Sequence, residues 1–143
     1  MTFAGINYLA ILIAGVVGWL AGAVWYSLLG RRWLAAQDRT EEAFKAHQAA
    51  IKGTLAAWLP FALAFVADLV MAWVLAGMVG HLGGVTIRNA VISALFVWAG
   101  FVVTTMLVNN AFCGRQYLLT AIDAGHWLAV LVLMGAVIGW IGV

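Results

Sequence analysis

Three ionisable side chains stand inside apolar runs: Asp68 in "LAFVADLVMA", and Asp123 with His126 in "AIDAGHWLAV". Carboxylates and imidazoles take up protons and ligate cations, so any chemistry in this chain is expected at these positions. Asp123 and His126 are three residues apart, which on a helix puts them on one face, one turn apart. A lone carboxylate at the centre of a membrane helix costs at least about 2.5 to 3.5 kcal/mol. Asp68 is therefore expected to be protonated, paired, or turned toward water or protein. Two readings follow for it: a proton or cation site, or a protonated acid that hydrogen-bonds between helices.

The elements that position these groups follow from composition. The chain has 143 residues, 66% hydrophobic and 8% charged, with a single proline. A soluble domain carries about a quarter charged residues, so this is the composition of a membrane protein. Of the twelve Lys, Arg, Asp and Glu residues, eight lie between Arg31 and Lys52, which leaves four long apolar segments. These run from about residue 6 to 29, 54 to 79, 89 to 112 and 118 to 140, each long enough to cross a bilayer core of about 30 Å. A helix satisfies its own backbone groups where water cannot, so the fold expected is all-α: four transmembrane helices paired as two hairpins in one domain over residues 1–143. No Lys or Arg precedes Arg31, so the first segment lacks the basic start of a cleaved signal peptide and is expected to remain.

Charge also orients the chain. The connection between the first two segments holds Arg31, Arg32, Arg39, Lys45 and Lys52, the last turn holds Arg115, and the other side has Arg88 alone. The positive-inside rule then puts the long connection and the Cys113 to Tyr117 turn in the cytoplasm, with both termini outside it, as in a bacterial inner-membrane protein. Within the connection of residues 30–53, Thr40 suits a helix cap, Glu41 and Glu42 suit the positive end of a helix, and Phe44, His47 and Ile51 share a face. A short amphipathic helix from about Glu41 to Lys52, lying at the lipid headgroups, is expected there. Trp33 beside Arg31 and Arg32 reads as an interfacial anchor.

With Arg115 at the cytoplasmic edge, Asp123 and His126 sit roughly 7 and 12 Å inside the last segment. At matching depth the third segment ends in Asn109 and Asn110, and the first in Trp25, Tyr26 and Ser27. The expectation is a polar cluster shared between helices, with Arg115 neutralising Asp123 where the cluster is purely structural. A metal site would draw on Asp123, His126 and Asp68, a thin set without paired-histidine spacing, and none is expected. A Ser27, His126, Asp123 hydrolase has neither nucleophile elbow nor oxyanion motif to support it. The lone Cys113 excludes an internal disulfide, and no cofactor and no nucleic-acid partner are indicated.

Small residues recur at intervals of four: Ala14, Gly18 and Gly22 in the first segment, Gly135 and Gly139 in the last. Such rows let helix backbones approach closely, either within one chain or between two. A homo-oligomer, or attachment to a partner membrane subunit, is expected on that ground, besides contact with the lipid bilayer.

"NYLAILIAG" from Asn7, "WYS" from Trp25, "FCGR" from Phe112 and "IDAGHWLAVLVLMGAVIG" from Ile122 together resemble the bacterial membrane proteins grouped as the domain of unknown function 1761 family. The resemblance spans nearly the whole chain and is carried by Asn7, Trp25, Tyr26, Ser27, Gly114, Arg115 and Asp123. The chain departs at Leu28 and Gln116, where such proteins often have proline, and at His126, where they often have an aromatic. The resemblance implies a small four-helix integral membrane protein and supplies no reaction. Two functions fit these residues: a transport or permeation protein for a proton, cation or small polar solute using Asp68 and the Asp123 cluster, or a non-catalytic accessory subunit of a larger membrane complex. An interfacial enzyme using His126 and Asp123 has no substrate suggested for it.

Overall fold

The structure is a computed structural model and describes residues 6–142. The expectation that both termini face outward concerns ends that lie outside the described residues. Five helices account for the described chain, with no strand among them: α1 (Tyr8–Ala35), α2 (Glu41–Ile51), α3 (Leu55–His81), α4 (Ile87–Phe112) and α5 (Tyr117–Ile141). All but α2 are long and apolar enough to cross a membrane. At a rise of 1.5 Å per residue the shortest of these four, with 25 residues, extends for about 38 Å, more than a bilayer core requires.

Local chemistry sets the helix ends. Asn7 Oδ1 accepts the N–H of Ala10 at the start of α1, Thr40 Oγ1 that of Ala43 at the start of α2, and Thr86 Oγ1 that of Asn89 at the start of α4. Each fills one of the orphan donors of a first helical turn. Gly114 has φ of +62°, the left-handed conformation that lets the chain reverse between α4 and α5. The end of α1 differs from expectation: the helix continues past Leu29 to Ala35, because "RRWLA" contains neither glycine nor proline to stop it. That extension carries Trp33 into the bundle.

Contacts fix the running directions. Gly18, Gly22 and Tyr26 of α1 meet Met134, His126 and Asp123 of α5 in turn, so those helices are antiparallel. Gly139 and Gly135 of α5 abut Ile87 and Ala90 of α4, and Trp98 reaches Ala124, again antiparallel. Gly15 lies against Leu69, and Trp19 against Phe65, which sets α3 antiparallel on the other flank of α1. The last helix thus sits between α1 and α4. Midway along its length α4 has a π-helical turn over Trp98–Val103, a local widening frequent at functional sites.

The core is built on small residues, with Ala10, Ala14, Ala72, Ala76, Ala90 and Ala94 buried, while Leu28, Phe96, Phe112 and Trp140 are among the most exposed side chains. Apolar chains gain nothing by leaving lipid, so close backbone approach through small residues is what holds such a bundle.

Candidate functional site

Asp123 is the best-satisfied polar side chain between helices. Tyr26 Oη donates to its Oδ1 at 2.7 Å and Trp33 Nε1 donates to the same oxygen at 2.9 Å. Both donors lie on α1, seven residues and so two turns apart, and their rings meet edge to face at 5.5 Å. Two further indoles grip the same stretch of α5: Trp25 Nε1 donates to the Ile122 carbonyl at 3.1 Å, and Trp98 Nε1 donates to the Ala124 carbonyl at 2.7 Å. Three tryptophans and a tyrosine from α1 and α4 therefore converge on Ile122 to Ala124.

His126 and Asp68 differ from Asp123 in having no such partners. His126 is 8% exposed and Asp68 4%. The Nδ1 of His126 and the Oδ1 of Asp68 are both buried without a hydrogen-bond partner. Each faces a glycine of α1: a Cβ added to Gly22 would lie 2.8 Å from His126 Nε2, and one added to Gly18 would lie 3.6 Å from Asp68 Oδ1. Gly18, Gly22 and Tyr26 are spaced by four residues, so α1 presents Asp68, His126 and Asp123 at three successive turns, over about 12 Å. The imidazole and the Tyr26 phenol lie side by side, with 5.0 Å between ring centroids. Buried polar atoms without partners cost free energy, and in a native fold they mark a function or an unseen ligand.

Other residues singled out in the sequence fall outside this line. Asn110 Nδ2 donates to Thr120 Oγ1 at 2.8 Å, a separate tie between α4 and α5. Asn109 is exposed, and Ser27, also exposed, donates back to the Ala23 carbonyl of its own helix. Arg115 is exposed, and among the described residues the ion pairs are Arg31 and Lys45 with Glu41, so Arg115 does not neutralise Asp123. Asp123 is instead hydrogen-bonded by uncharged donors of α1, while Arg115 belongs to the turn before α5, eight residues from Asp123. No group of three or more His, Cys, Asp or Glu residues able to hold a metal ion occurs among the described residues.

The glycine rows prove to serve different neighbours. Gly18 and Gly22 take α5 side chains, while Gly135 and Gly139 lie on the backbone of α4. Sequence reasoning missed Trp98 altogether and treated Trp33 as an anchor. The signal was present: an indole N–H inside an apolar helix needs an acceptor, and Trp33 shares a face with Tyr26.

Fold and site together define an all-helical protein with four helices capable of spanning a membrane and a line of ionisable groups between α1, α3 and α5. The chain belongs to the family described as "Protein of unknown function (DUF1761)", whose family model matches residues 9–139. No curated protein and no solved structure matches it.

Proposed function

We propose that this protein is a bacterial inner-membrane transport protein that moves a proton, cation or small polar solute by way of Asp68 and the His126–Asp123 cluster. The observation that carries this reading is the pair of buried side chains, Asp68 and His126, each with a buried polar atom that has no partner. A purely structural network would satisfy them, as Asp123 is satisfied by Tyr26 and Trp33. Intramembrane ionisable groups that remain unpaired are the usual mark of a solute or proton pathway. The proposed arrangement is two hairpins, α1 with α3 and α4 with α5, with α2 at the headgroups and its basic flanks in the cytoplasm.

The test is flux in proteoliposomes, with protons, alkali cations and small polar solutes each followed under an imposed gradient. Wild-type protein is expected to carry one of these, and Asp68→Asn to lose at least about 90% of that flux while keeping its expression and thermal stability. In right-side-out spheroplasts the exposed Cys113 is expected to resist a membrane-impermeant maleimide and to react once the cells are opened; labelling from outside would invert the topology. Absence of flux in both proteins, with a foreign subunit copurifying in fixed ratio, would replace the transport reading with that of an accessory subunit.

A further inference from the structure

Building on that transport reading, we propose that the species handled is the proton, and that it reaches Asp68 from one end only, along Asp123, Tyr26 and His126, with the path closed beyond Asp68 by apolar packing.

Room along the line is the first constraint. At Gly22 an added methyl carbon would stand 2.8 Å from His126 Nε2, and at Gly18 it would stand 2.5 Å from Met134 Cε and 3.1 Å from Val130 Cγ1. A line in which a methyl group does not fit at two successive turns does not pass a hydrated cation or a solute. A bare cation would need several oxygen ligands to replace its water, about six for magnesium or calcium. The line offers isolated carboxylates and an imidazole instead. A proton needs no ligand shell, only groups that accept and release it in sequence with single waters bridging those that do not touch.

Sidedness comes from the core. On the far side of Asp68 lie Ile11 and Ala14 of α1, Leu75 and Val79 of α3, and Met134 and Ile138 of α5, all buried and apolar. Toward the Trp33 end lie His126 and then Asp123 with its Tyr26 and Trp33 donors. The titratable groups along this line are Asp68 of α3 opposite Gly18, His126 of α5 opposite Gly22 and beside the Tyr26 ring, and Asp123 of α5 bonded to Tyr26; α4 brings Trp98 to this level and no ionisable side chain, its Arg88 being exposed at the opposite end.

The transfer balances with protons alone. Asp68 Oδ1 and His126 Nδ1 have no hydrogen-bond partner, so Asp68 as the acid gives its proton to His126 through one bridging water and becomes a carboxylate. The imidazolium, its ring centroid 5.0 Å from that of Tyr26 and without a hydrogen bond to it, then gives a proton through a second water to the Tyr26 oxygen as Tyr26 passes its own, along its 2.7 Å hydrogen bond, to the Asp123 carboxylate. One proton enters and one leaves, only O–H and N–H bonds are exchanged, and no electron moves. The reverse sequence loads Asp68. Delivery across the membrane then requires the apolar half to open, which makes the protein a carrier by alternating exposure and not an open channel.

The experiment compares four proteins in vesicles under an imposed potential: wild type, Asp68→Asn, His126→Gln and Leu75→Asn. Leu75 is 2% exposed and lies two turns beyond Asp68 on α3, so an amide there wets the seal. Expected are proton flux in wild type with alkali cations and solutes at vesicle background, flux at least about tenfold lower in Asp68→Asn and His126→Gln, and flux at least about tenfold higher in Leu75→Asn that disappears when Asp68→Asn is added. Flux of cations or solutes that depends on Asp68 would overturn the proton assignment and leave the transport reading standing. A Leu75→Asn protein that is folded by its thermal transition yet conducts no more than wild type would overturn the seal. If Leu75→Asn carries Asp68-dependent protons and wild type carries nothing, the one-sided path stands and the transport reading falls. Should Leu75→Asn not fold, Val79→Asn, one turn further, makes the same comparison.

Discussion

Gly135→Leu is expected to separate α4 from α5 and to lower stability by about 3 kcal/mol or more, beyond the usual 1–3 kcal/mol of an overpacked core. The reason lies in what the new side chain meets. Even a Cβ at this position would be 2.8 Å from the Ala90 carbonyl oxygen, 3.0 Å from its carbon and 3.3 Å from the Val91 nitrogen, all backbone atoms. A flexible side chain could swing aside, but backbone inside a helix cannot without breaking its own hydrogen bonds. Ala90 is fully buried, so no lipid or water gap exists to absorb the displacement. Gly139 repeats the situation one turn on, against the Ile87 backbone. Thermal unfolding in detergent checks this, with Gly77→Leu as the control, since nothing lies within 4 Å of a Cβ there. Equal melting temperatures for the two variants would show that the α4–α5 contact does not hold the bundle.

The second large effect is expected at Asp123. Alanine there strands two donors, the Tyr26 hydroxyl and the Trp33 indole N–H, that share one carboxylate oxygen. An unmet buried donor costs about 1–3 kcal/mol in water-soluble proteins, and hydrogen bonds between membrane helices average nearer 0.6 kcal/mol. With two donors on one oxygen, Asp123→Ala is expected to destabilise by about 2 kcal/mol. Asp123→Asn, which keeps a carbonyl oxygen in place, is expected to lose about half as much. Tyr26→Phe removes one donor and no acceptor, so it should cost less than Asp123→Ala in the same thermal assay. The opposite order would mean that the carboxylate is not the clasp between α1 and α5.

Much of this arrangement was legible from residue types. The concentration of eight of the twelve charged residues in 31–52 exposed the four apolar segments, and their lengths alone implied helices that can cross a membrane. The pairing of Asp123 with Tyr26 was legible in outline, because both fall at one depth from the same end. What sequence could not give was azimuth, the direction each side chain faces around its helix. Asn109 and Asn110 are neighbours in sequence, yet 100° of rotation leaves Asn109 exposed and turns Asn110 to Thr120. Gly18 and Gly135 belong to rows of equal spacing, but one receives side chains and the other a backbone, a distinction set by tertiary register. Trp33 entered the site because α1 runs on to Ala35, and helix ends are where local signals are weakest. The meeting of Asp68 with the same face of α1 as His126 joins residues of two other helices, and no local pattern encodes it.

The proposed proton path stands or falls with Asp68 exchanging protons with one side of the membrane. Infrared spectroscopy of the protein in bilayers reads this directly through the carbonyl stretch of a protonated carboxylic acid, assigned by its loss in Asp68→Asn. The prediction is a band that grows as the medium is acidified and shifts within minutes of transfer to deuterated buffer at constant acidity, and does so far more slowly in His126→Gln. A band that is present at every pH and unshifted after hours in deuterated buffer would contradict it, and would make Asp68 a sealed structural acid.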